Sequence, residues 1–523
     1  MKTFSAIQLR RLIRTSVKSR QNNIPVAEYW EKLQQNALSR RHFLEKSLQQ
    51  AVVLGVGSSA LLSACLPKET KKINDIVIVG AGIAGLTAAY YLRKSGYEVP
   101  IYEASSRVGG RIFSLQNAMG EGFSTEMGGE FIDTGHTEMQ LLAKELGLTL
   151  LDTAADDGVN NDLFFWNDEL IGEQKILDAL TPFSKQLKKD IALYEANDAT
   201  FLTQTDHLSL DAYFEKLGMT GWIKDLLLLT YLNEFGVASN LQSALNFIDY
   251  VTFDIEKKEF SIYGDSDERF KVVGGNQQIP IKLAEQLNTQ LQFAHRLIAL
   301  KKEKSGNYSL TFNTDGKTKE VAAKKVLLAL PFSVLRDVEL DKSLDFTKEK
   351  QRAINEMGYG SHTKLVMGFS QRTWRTTQFE GRGCSGNVFS DVGVQLGWDN
   401  TRMQPVQGGG YTIFNGGKDA VFMGSSSIQN QVKFYLEKLD QIFPHTSDSY
   451  NGKAERFAWA GYGLTKGSYS APLVGQWTEI FPHLAPPQDG IFFAGEHCSL
   501  EMQGFMEGAA RSGRDAAKEM MRK

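Results

Sequence analysis

The chain has 523 residues, of which 42% are hydrophobic and 23% are charged, so it is long and apolar enough to bury more than one core. This composition excludes a disordered chain, a collagen-like repeat and a small disulfide-stapled scaffold. The 58 Lys and Arg residues against 61 Asp and Glu residues give a net charge of −3, without the basic excess typical of nucleic-acid-binding proteins. Three cysteines and the absence of an H-E-x-x-H motif leave no predicted metal site.

The N-terminal segment has the pattern of a targeting sequence. Ten Lys or Arg residues and three acids lie in the first 50 residues, and the pair Arg40-Arg41 precedes a 12-residue apolar run, residues 51–62, that is too short to span a bilayer. The pair resembles a twin-arginine export signal, and residues 62–65 resemble a bacterial lipobox in which Cys65 is lipidated. We therefore expect residues 1–72 to form an export leader, lipobox and tether. The alternative is an uncleaved amphipathic helix with an incidental cysteine.

The body of the chain opens with a dinucleotide-binding pattern. Residues 75–79 predict a strand buried on both faces of a parallel sheet, and they are followed by G-x-G-x-x-G, a helix over 83–93 and a second strand over 99–102. The glycines allow a tight turn, the approach of a pyrophosphate to the helix N terminus, and close packing of helix on strand, while an acid after the second strand binds ribose hydroxyls. The predicted dinucleotide-binding residues here are Gly80, Ala81, Gly82, Gly85 and Glu103.

Contacts from both ends of the chain favour FAD over NAD. A flexible basic segment after Glu103 places Arg111 near the phosphates, which a plain dehydrogenase does not need. Near the C terminus, a strand over residues 490–496 leads into a Gly-acid turn, and residues 504–509 open a helix that continues to about Ala517. A long dinucleotide held from both chain ends is expected for FAD.

Two further stretches have contrasting periodicities. Residues 176–250 are rich in leucine at helical spacing, whereas residues 291–330 contain alternating segments that predict strands. The run Leu226–Leu229 could belong to a membrane helix, but charged residues close on both sides make it a buried core segment instead.

Eight ordered motifs give the chain a specific family resemblance. Residues 73–523 resemble the flavin-containing amine oxidase family, which includes monoamine, polyamine and L-amino-acid oxidases. The resemblance implies an α/β fold, in which a doubly wound, Rossmann-like FAD-binding domain is interleaved with a substrate domain of helices on a mixed β-sheet. It assigns residues 73–150, 266–353 and 462–523 to the FAD domain, and residues 151–265 and 354–461 to the substrate domain. The motifs lie at residues 80–85, 103–111, 126–131, 273–275, 329–331, 360–364, 459–469 and 494–508.

The same resemblance extends the predicted cofactor site. It implies that the FAD is held without a covalent link, because Ser468 occupies the position at which monoamine oxidases have a flavin-linked cysteine. Cys498 is a remote second candidate for such a link. The cofactor residues implied by the family motifs are Gly128, Gly129, Ile298, Trp459, Gly495, Glu496 and Met506.

Lys364 has two opposed interpretations. From the sequence alone, a solvated strand lysine is favoured, because Thr363 and Leu365 occupy the opposite face of the strand. The resemblance implies instead that Lys364 points into the cavity and holds a water molecule against flavin N5.

The resemblance also implies a set of substrate residues. Tyr469 and Phe505 match the aromatic pair that flanks the substrate nitrogen, although their alternative role is ordinary core packing. Phe131 stands where better-known L-amino-acid oxidases have a carboxylate-binding arginine, and its side chain has no charge to bind a carboxylate. Glu130 is expected to attract a distal ammonium, which favours a diamine or polyamine as substrate. Alternatively, residues 128–130 form a backbone element in which the Glu130 side chain is turned toward a helix end.

The expected function is oxidation of a primary or secondary amine. The resemblance implies an imine product that hydrolyses to an aldehyde, with electrons passing to O2 or to a periplasmic acceptor. The alternatives are an L-amino-acid oxidase that uses Arg375 or Arg382, a flavin desaturase or isomerase on the same scaffold, and an electron-transfer flavoprotein. The expected partners are a small amine and the twin-arginine export machinery, with membrane contact only through a lipid anchor and no nucleic acid.

Overall fold

A computed structural model describes residues 73–156, 158–254, 259–262, 264, 266–287 and 290–522. The expected leader, with Arg40, Arg41 and Cys65, lies outside the described residues. The strands are β1 Ile73–Val79, β2 Ile101–Tyr102, β3 Ser114–Gln116, β4 Ser124–Glu126, β5 Leu150–Asp152, β6 Val159–Trp166, β7 Glu169–Ile171, β8 Thr252–Asp254, β9 Glu259–Ser261, β10 Phe270–Val272, β11 Leu291–Gln292, β12 Arg296–Lys302, β13 Tyr308–Thr314, β14 Lys317–Leu328, β15 Glu339–Leu340, β16 His362–Phe369, β17 Gln378–Phe379, β18 Arg382–Ser390, β19 Leu396–Asp399, β20 Gly409–Gly416, β21 Tyr450–Ala458 and β22 Ile491–Phe493.

The α-helices of the same part of the chain alternate with these strands. They are α1 Ile83–Lys94, α2 Thr137–Glu145, α3 Glu173–Leu180, α4 Ser184–Glu195, α5 Ala199–Asp206, α6 Leu210–Lys216, α7 Trp222–Phe235, α8 Leu245–Tyr250, α9 Gln278–Gln286, α10 Phe332–Leu335, α11 Lys348–Glu356, α12 Thr373–Thr376, α13 Gly417–Ser425, α14 Ile428–Ile442, α15 Gln476–Glu479 and α16 Met506–Arg522.

The first eight-stranded sheet has the order β11-β2-β1-β14-β13-β12-β15, and β22 also pairs with β14. Strands β11, β2, β1, β14 and β22 run parallel, whereas β12 to β14 form an antiparallel meander. Strand β1 is buried on both faces, because Ile76 and Ile78 enter one core cluster while Val77 and Val79 enter another. Helix α16 packs against α1 so closely that a Cβ on Gly513 would lie 2.0 Å from the Ala84 carbonyl oxygen. This is the doubly wound arrangement that the sequence predicts.

The second eight-stranded sheet has the order β21-β16-β20-β19-β18-β6-β7, with β17 paired to β18. Its pairs are antiparallel except for the parallel pair β18 and β6, so the sheet is mixed. The leucine-rich stretch forms α3 to α8 and buries its apolar residues in one core cluster with β6 residues, including Phe164 and Trp166. In the part of the chain that is described, no helix combines the length and hydropathy needed to cross a bilayer.

The chain crosses between the two sheets several times. The first sheet is built from residues 73–102, 291–340 and 491–493, and the second from residues 159–171 and 362–458. The α/β fold with two interleaved units is therefore confirmed, whereas the assignment of residue ranges to two domains stays a prediction.

Candidate active site

A cavity of about 330 Å³ lies where the ends of the first sheet meet the second sheet. Its lining comes from segments spread along the described chain, including the G-x-G-x-x-G turn, strand β16 and the start of α16. Most of the residues predicted from sequence for the cofactor and the substrate meet here. Those lining the cavity are Gly80, Gly82, Glu103, Arg111, Gly128, Gly129, Glu130, Phe131, Lys364, Trp459, Ser468, Tyr469, Gly495, Glu496, Phe505 and Met506.

The glycine turn after β1 is shaped by close backbone contacts. Gly80 has a φ of +103°, and a Cβ there would lie 2.6 Å from the Ala329 carbonyl oxygen. A Cβ on Gly85 would lie 2.0 Å from the Gly80 carbonyl oxygen, so Gly85 serves helix–strand packing and does not line the cavity. At Gly82, by contrast, the nearest atom to an added Cβ is the Gly110 Cα at 4.0 Å, which leaves space beside the helix N terminus. These are the three glycine roles of a dinucleotide fold.

Glu103 anchors the other side of this turn. Its Oε2 accepts a hydrogen bond from the Ala81 backbone N–H at 2.7 Å, and its Oε1 accepts one from the Ser105 N–H at 2.8 Å. The Ala81 N–H therefore faces Glu103, and Ala81 does not line the cavity, so its predicted role in cofactor binding stays a prediction. The carboxyl group of Glu103 lines the cavity at the position expected for ribose binding.

The second part of the predicted cofactor site is tied together by Arg111. Its guanidinium donates to Glu496 Oε1 and to the Ser468 carbonyl oxygen, both at 2.8 Å. Glu496 also accepts from the Ser470 hydroxyl at 2.6 Å and from the Gly504 N–H at 2.8 Å. Burial alone would raise the pKa of Glu496, but Arg111 and these donors hold it below its ordinary value. The ion pair between Arg111 and Glu496 thus holds three loops that are distant in sequence against one wall of the cavity.

Ile298 does not line the cavity, and its contact with the cofactor stays a prediction. The cavity is lined by its neighbours Arg296 and Leu297 and not by Ile298 itself. The register between β12 and β13 shifts between Leu297 and Ala299, so the strand bulges at residue 298. A one-residue bulge changes which face of the sheet the following side chains point to. The spacing of motifs along the sequence does not reveal such a bulge.

The cavity is suited to a dinucleotide cofactor. The glycine turn leaves room beside a helix N terminus, and Glu103 presents an acid next to that turn. Farther along, Gln503 is buried in the lining, and neither its amide nitrogen nor its amide oxygen has a partner among the described residues. A buried amide without partners is costly, which indicates that a polar group of a ligand completes this wall.

Lys364 is buried, not solvated. Its Nζ donates to the Gly128 carbonyl oxygen and to Glu130 Oε2, both at 2.9 Å, and lies 5.0 Å from the centre of the Trp398 ring. Every residue of β16 is buried, because α13 packs on one face and the cavity wall on the other. The interpretation as a solvated strand lysine is therefore wrong, since the sheet is covered on both sides.

Glu130 lies between two lysines. Its Oε1 accepts from Lys271 Nζ at 2.8 Å while its Oε2 accepts from Lys364, and the three side chains are 2%, 7% and 6% exposed, respectively. Burial alone would raise the pKa of Glu130, but the two ammonium groups outweigh this effect and hold the pKa below its ordinary value. The carboxylate is thus already compensated by two cations, and the attraction of a substrate ammonium by Glu130 stays a prediction. We call Lys271, Glu130 and Lys364 the buried ion triad.

Aromatic rings form the wall next to the triad. The His362 imidazole is stacked between the rings of Phe414 and Tyr469, with centroid distances of 4.7 and 4.8 Å. Phe505 lies against His136 at a centroid distance of 5.1 Å. Tyr469 and Phe505 are each only partly buried within the protein and both line the cavity, so core packing does not fully account for either ring.

The hydrogen bonds of His362 define its tautomer. Its Nε2 lies 2.5 Å from the Asn233 carbonyl oxygen, which only accepts, so Nε2 has the proton. Its Nδ1 therefore accepts from the Ser468 hydroxyl at 2.6 Å. Burial lowers the pKa of His362 to about 4, so the ring is neutral and both nitrogens are engaged. His362 is thus a fixed support for Tyr469 and not a proton acceptor.

Three residues from the alternative predictions lie away from the cavity. Cys498 packs in the core of the first sheet, where burial raises the pKa of its thiol to about 12, so it is not positioned for a flavin link. Arg375 forms a bidentate pair with Asp156 at 2.8 Å, and neither Arg375 nor Arg382 lines the cavity. The predicted carboxylate-binding role of these two arginines is therefore wrong.

Two cavity carboxyls lack a compensating cation. Glu234 and Glu268 both line the cavity, and neither side chain forms an ion pair in the described part of the chain. Burial raises the pKa of Glu234 to about 7 and, together with Asp133 and other nearby carboxyls, raises that of Glu268 well above its ordinary value. The cavity thus offers two half-buried acids whose ionised forms a positive partner would stabilise.

The sequence analysis missed several residues of this site. Glu234, Glu268, Lys271 and Trp398 belong to no short motif, and long-range pairing alone places them here. His362 stands within the motif at residues 360–364, and its position two residues before Lys364 on the same strand face was the available signal.

The fold and the cavity define a dinucleotide-binding oxidoreductase built on two interleaved sheets. Residues 83–521 match the protein family described as flavin containing amine oxidoreductase. The chain belongs to this family of flavin-dependent amine-oxidising enzymes.

Individual relatives are distant in sequence and similar in length. Polyamine oxidase 3 of Oryza sativa subsp. japonica is 25% identical over 480 residues, which cover 85% of this chain and 88% of the relative. The L-amino-acid oxidase of Vipera ammodytes ammodytes is 23% identical over 469 residues, covering 87% and 94%. The solved structure of a putrescine oxidase bound to putrescine has a TM-score of 0.71 at 22% identity, covering 86% of this chain and all of that one. The structural likeness shows the same fold.

Proposed function

We propose that the protein is an FAD-dependent oxidase of primary or secondary amines, which passes electrons to O2 and releases H2O2. The observation that carries this proposal is the buried ammonium of Lys364, which lies with the Tyr469 wall at one end of a cavity whose other end is a dinucleotide site. When bound, FAD supplies the acceptor for the hydride equivalent taken from the amine α-carbon. The imine product hydrolyses to an aldehyde and ammonia or a smaller amine.

The residues that would hold FAD come from both chain ends. Gly82 and the N terminus of α1 would hold the pyrophosphate, and Glu103 would bind ribose hydroxyls. We propose that the cofactor is held without a covalent bond, because Ser468 lines the cavity and the cysteines among the described residues, Cys384 and Cys498, do not.

The aromatic wall would orient the amine. The rings of Tyr469 and Phe505 exclude water and present π faces to the amine, while His362 keeps Tyr469 in place. The Tyr469 hydroxyl is not free to donate to the amine, since it donates to the Glu234 carbonyl oxygen. These residues position an uncharged amine without taking part in proton transfer.

Lys364 supports oxygen as the electron acceptor. Its ammonium lies in the cavity wall, where Glu130 of the buried ion triad holds it, and a fixed positive charge there stabilises the negative charge that develops as oxygen is reduced.

The experiment is anaerobic mixing of the holoenzyme with a panel of amines, L-amino acids and polyenes, followed by admission of air. We expect amines to bleach the flavin absorbance, and air to restore it with one H2O2 formed for each imine. Bleaching only by amino acids or polyenes would contradict the proposed substrate class. Bleaching by amines without re-oxidation in air would instead indicate a cytochrome or quinone acceptor.

We further propose that residues 1–72 direct twin-arginine export and attachment of a lipid at Cys65. The variant Arg40→Lys with Arg41→Lys should leave active, FAD-loaded protein in the cytoplasm, and Cys65→Ala should release it from membranes. Cell fractionation with flavin fluorescence measures both outcomes. Unchanged fractionation in both variants would contradict this proposal.

A further inference from the structure

A second cavity, of about 450 Å³, adjoins the substrate end of the first. The two cavities share several lining residues, which we call the junction. At the junction, the ring centroids of Phe131 and Trp398 lie 5.9 Å apart. The members of the junction are Phe131, Ser266, Glu268, Leu396 and Trp398. Since Trp398 also contacts the ammonium of Lys364, a ligand that reaches past the junction has its near end beside the proposed reaction centre.

The second cavity is strongly acidic. Six carboxyl residues line it against two basic ones, and both basic side chains are already paired, Lys271 with Glu130 and Arg402 with Asp156. Some of the acids are engaged in backbone or hydroxyl hydrogen bonds. The carboxyl residues of the lining are Asp162, Glu173, Asp267, Glu268, Glu380 and Asp399.

Two of these acids form no ion pair in the ranges that the structure describes. Glu268 lies at the junction, and the exposed Asp162 lines the second cavity, where the Asn387 side chain and the charge of Arg402 act on its carboxyl group. Burial and the neighbouring carboxyls Asp133, Asp162, Glu234 and Glu130 raise the pKa of Glu268 well above its ordinary value. A cationic ligand would offset both effects, because a buried carboxylate is stable only when it is paired.

A second polar group at the junction also lacks a partner. The Trp398 side chain belongs to a residue that is only 6% exposed, and its indole N–H has no acceptor among the described residues. A buried donor without an acceptor indicates that a polar ligand atom or a bound water molecule completes the junction. Between these polar groups, Phe131 and Leu396 provide apolar surface for an aliphatic chain.

We propose that the second cavity binds the distal cationic nitrogen of a diamine or polyamine whose reacting amine lies in the first cavity. Glu268 pairs with the distal ammonium at the junction, and Asp162 pairs with a further nitrogen in a longer polyamine. This inference rests on the proposed amine oxidase function and assigns its substrate class. It also disfavours amino acids, because their carboxylate would meet uncompensated acids.

The test compares a monoamine and a diamine of equal chain length, in a series of increasing length, on the holoenzyme. In the wild type we expect kcat/KM for the diamine to exceed that for the monoamine once the chain is long enough to reach Glu268. The substitution Glu268→Gln should lower the ratio of the two kcat/KM values by about 10- to 100-fold through KM, since it removes a charged hydrogen-bond partner. Asp162→Asn should lower kcat/KM more for a tetra-amine than for a diamine.

A direct binding measurement accompanies the kinetics. A bis(trimethylammonium)alkane has no lone pair to oxidise, so calorimetry can measure its Kd. Glu268→Gln should weaken this binding, but by a smaller factor, because a quaternary ammonium donates no hydrogen bond and interacts with the carboxylate by charge alone. Glu349→Gln is the matched control, because Glu349 is exposed on α11, outside both cavities. An unchanged diamine-to-monoamine ratio in Glu268→Gln, with amine turnover intact, would overturn the inference and leave the proposed function standing. Failure of every amine to reduce the flavin would overturn both.

Discussion

The buried ion triad predicts an unequal response to the removal of its members. Glu130→Gln preserves shape but leaves the ammonium groups of Lys271 and Lys364, which bond to it at 2.8 and 2.9 Å, without a counter-charge. Removing one partner of a buried ion pair costs about 3–5 kcal/mol, because it leaves an uncompensated charge in the interior. We therefore expect Glu130→Gln to lower the free energy of unfolding by about 3–5 kcal/mol.

Removing either lysine should cost less. Lys364→Met and Lys271→Met each leave Glu130 with one ammonium partner, so the remaining pair is neutral and the loss is about 1–3 kcal/mol, the value of a charged hydrogen bond. Adding Lys271→Met to Glu130→Gln removes one of the two unpaired charges, so the double variant should be more stable than the sum of the single effects predicts.

Urea unfolding at pH 7, followed by tryptophan fluorescence, measures this order. The measurements are made both with saturating FAD and on apoprotein, since a bound ligand adds to the apparent stability. Lys453→Met is the control, because Lys453 is exposed on β21 and its loss should change the free energy of unfolding by no more than about 0.5 kcal/mol. A loss for Lys364→Met equal to that for Glu130→Gln, or a loss below about 0.5 kcal/mol for Glu130→Gln, would refute the reasoning.

The same Lys364→Met variant separates stability from chemistry. If Lys364 supports the reduction of oxygen, re-oxidation of the flavin should slow while flavin content and the rate of reduction by amine are kept. Rapid mixing resolves the two half-reactions. Wild-type rates in both would assign Lys364 to structure alone.

Three further predictions concern Ser468 and His362, which line the cavity, and His497, which is fully buried and does not line it. Acid precipitation should release FAD into the supernatant, because Ser468 cannot form a thioether, and colour retained in the pellet would contradict this. Burial lowers the pKa of His497 to about 4 from 6.5 in the unfolded chain, so its contribution to stability is complete above pH 6.5 and is lost as the pH falls toward 4. His497→Leu should reduce that loss in urea unfolding between pH 7 and 4.5, whereas the exposed control His445→Gln should not. His362→Leu should raise KM for the amine by about 10-fold, because it removes the ring that stacks on Tyr469. His362→Phe should keep the stacked ring and most of the affinity. Equal KM values for the two variants would argue against a positioning role for His362.

The sequence by itself determined the dinucleotide half of the fold. The apolar run of β1, the glycines at residues 80, 82 and 85, and Glu103 lie close together along the chain, so local geometry fixes their arrangement. Helical and strand periodicities identified the leucine-rich helices and the meander of β12 to β14 for the same reason. The ordered motifs also sufficed to indicate the family, because each is a short segment whose backbone conformation demands particular residues.

Only the tertiary structure decided the charge balance of the site. Lys271 lies 141 positions from Glu130 along the chain, and Lys364 lies 234 positions away, so no spacing rule could show that the two lysines neutralise one carboxylate. The same pairing compensates the charge of Glu130 and leaves Glu234 and Glu268 as cavity acids without an ion pair among the described residues. The bulge at Ile298 and the burial of both faces of β16 likewise depend on neighbouring strands and helices. Electrostatic compensation and burial depend on groups that long-range packing brings together, so the order of residues along the chain does not reveal them.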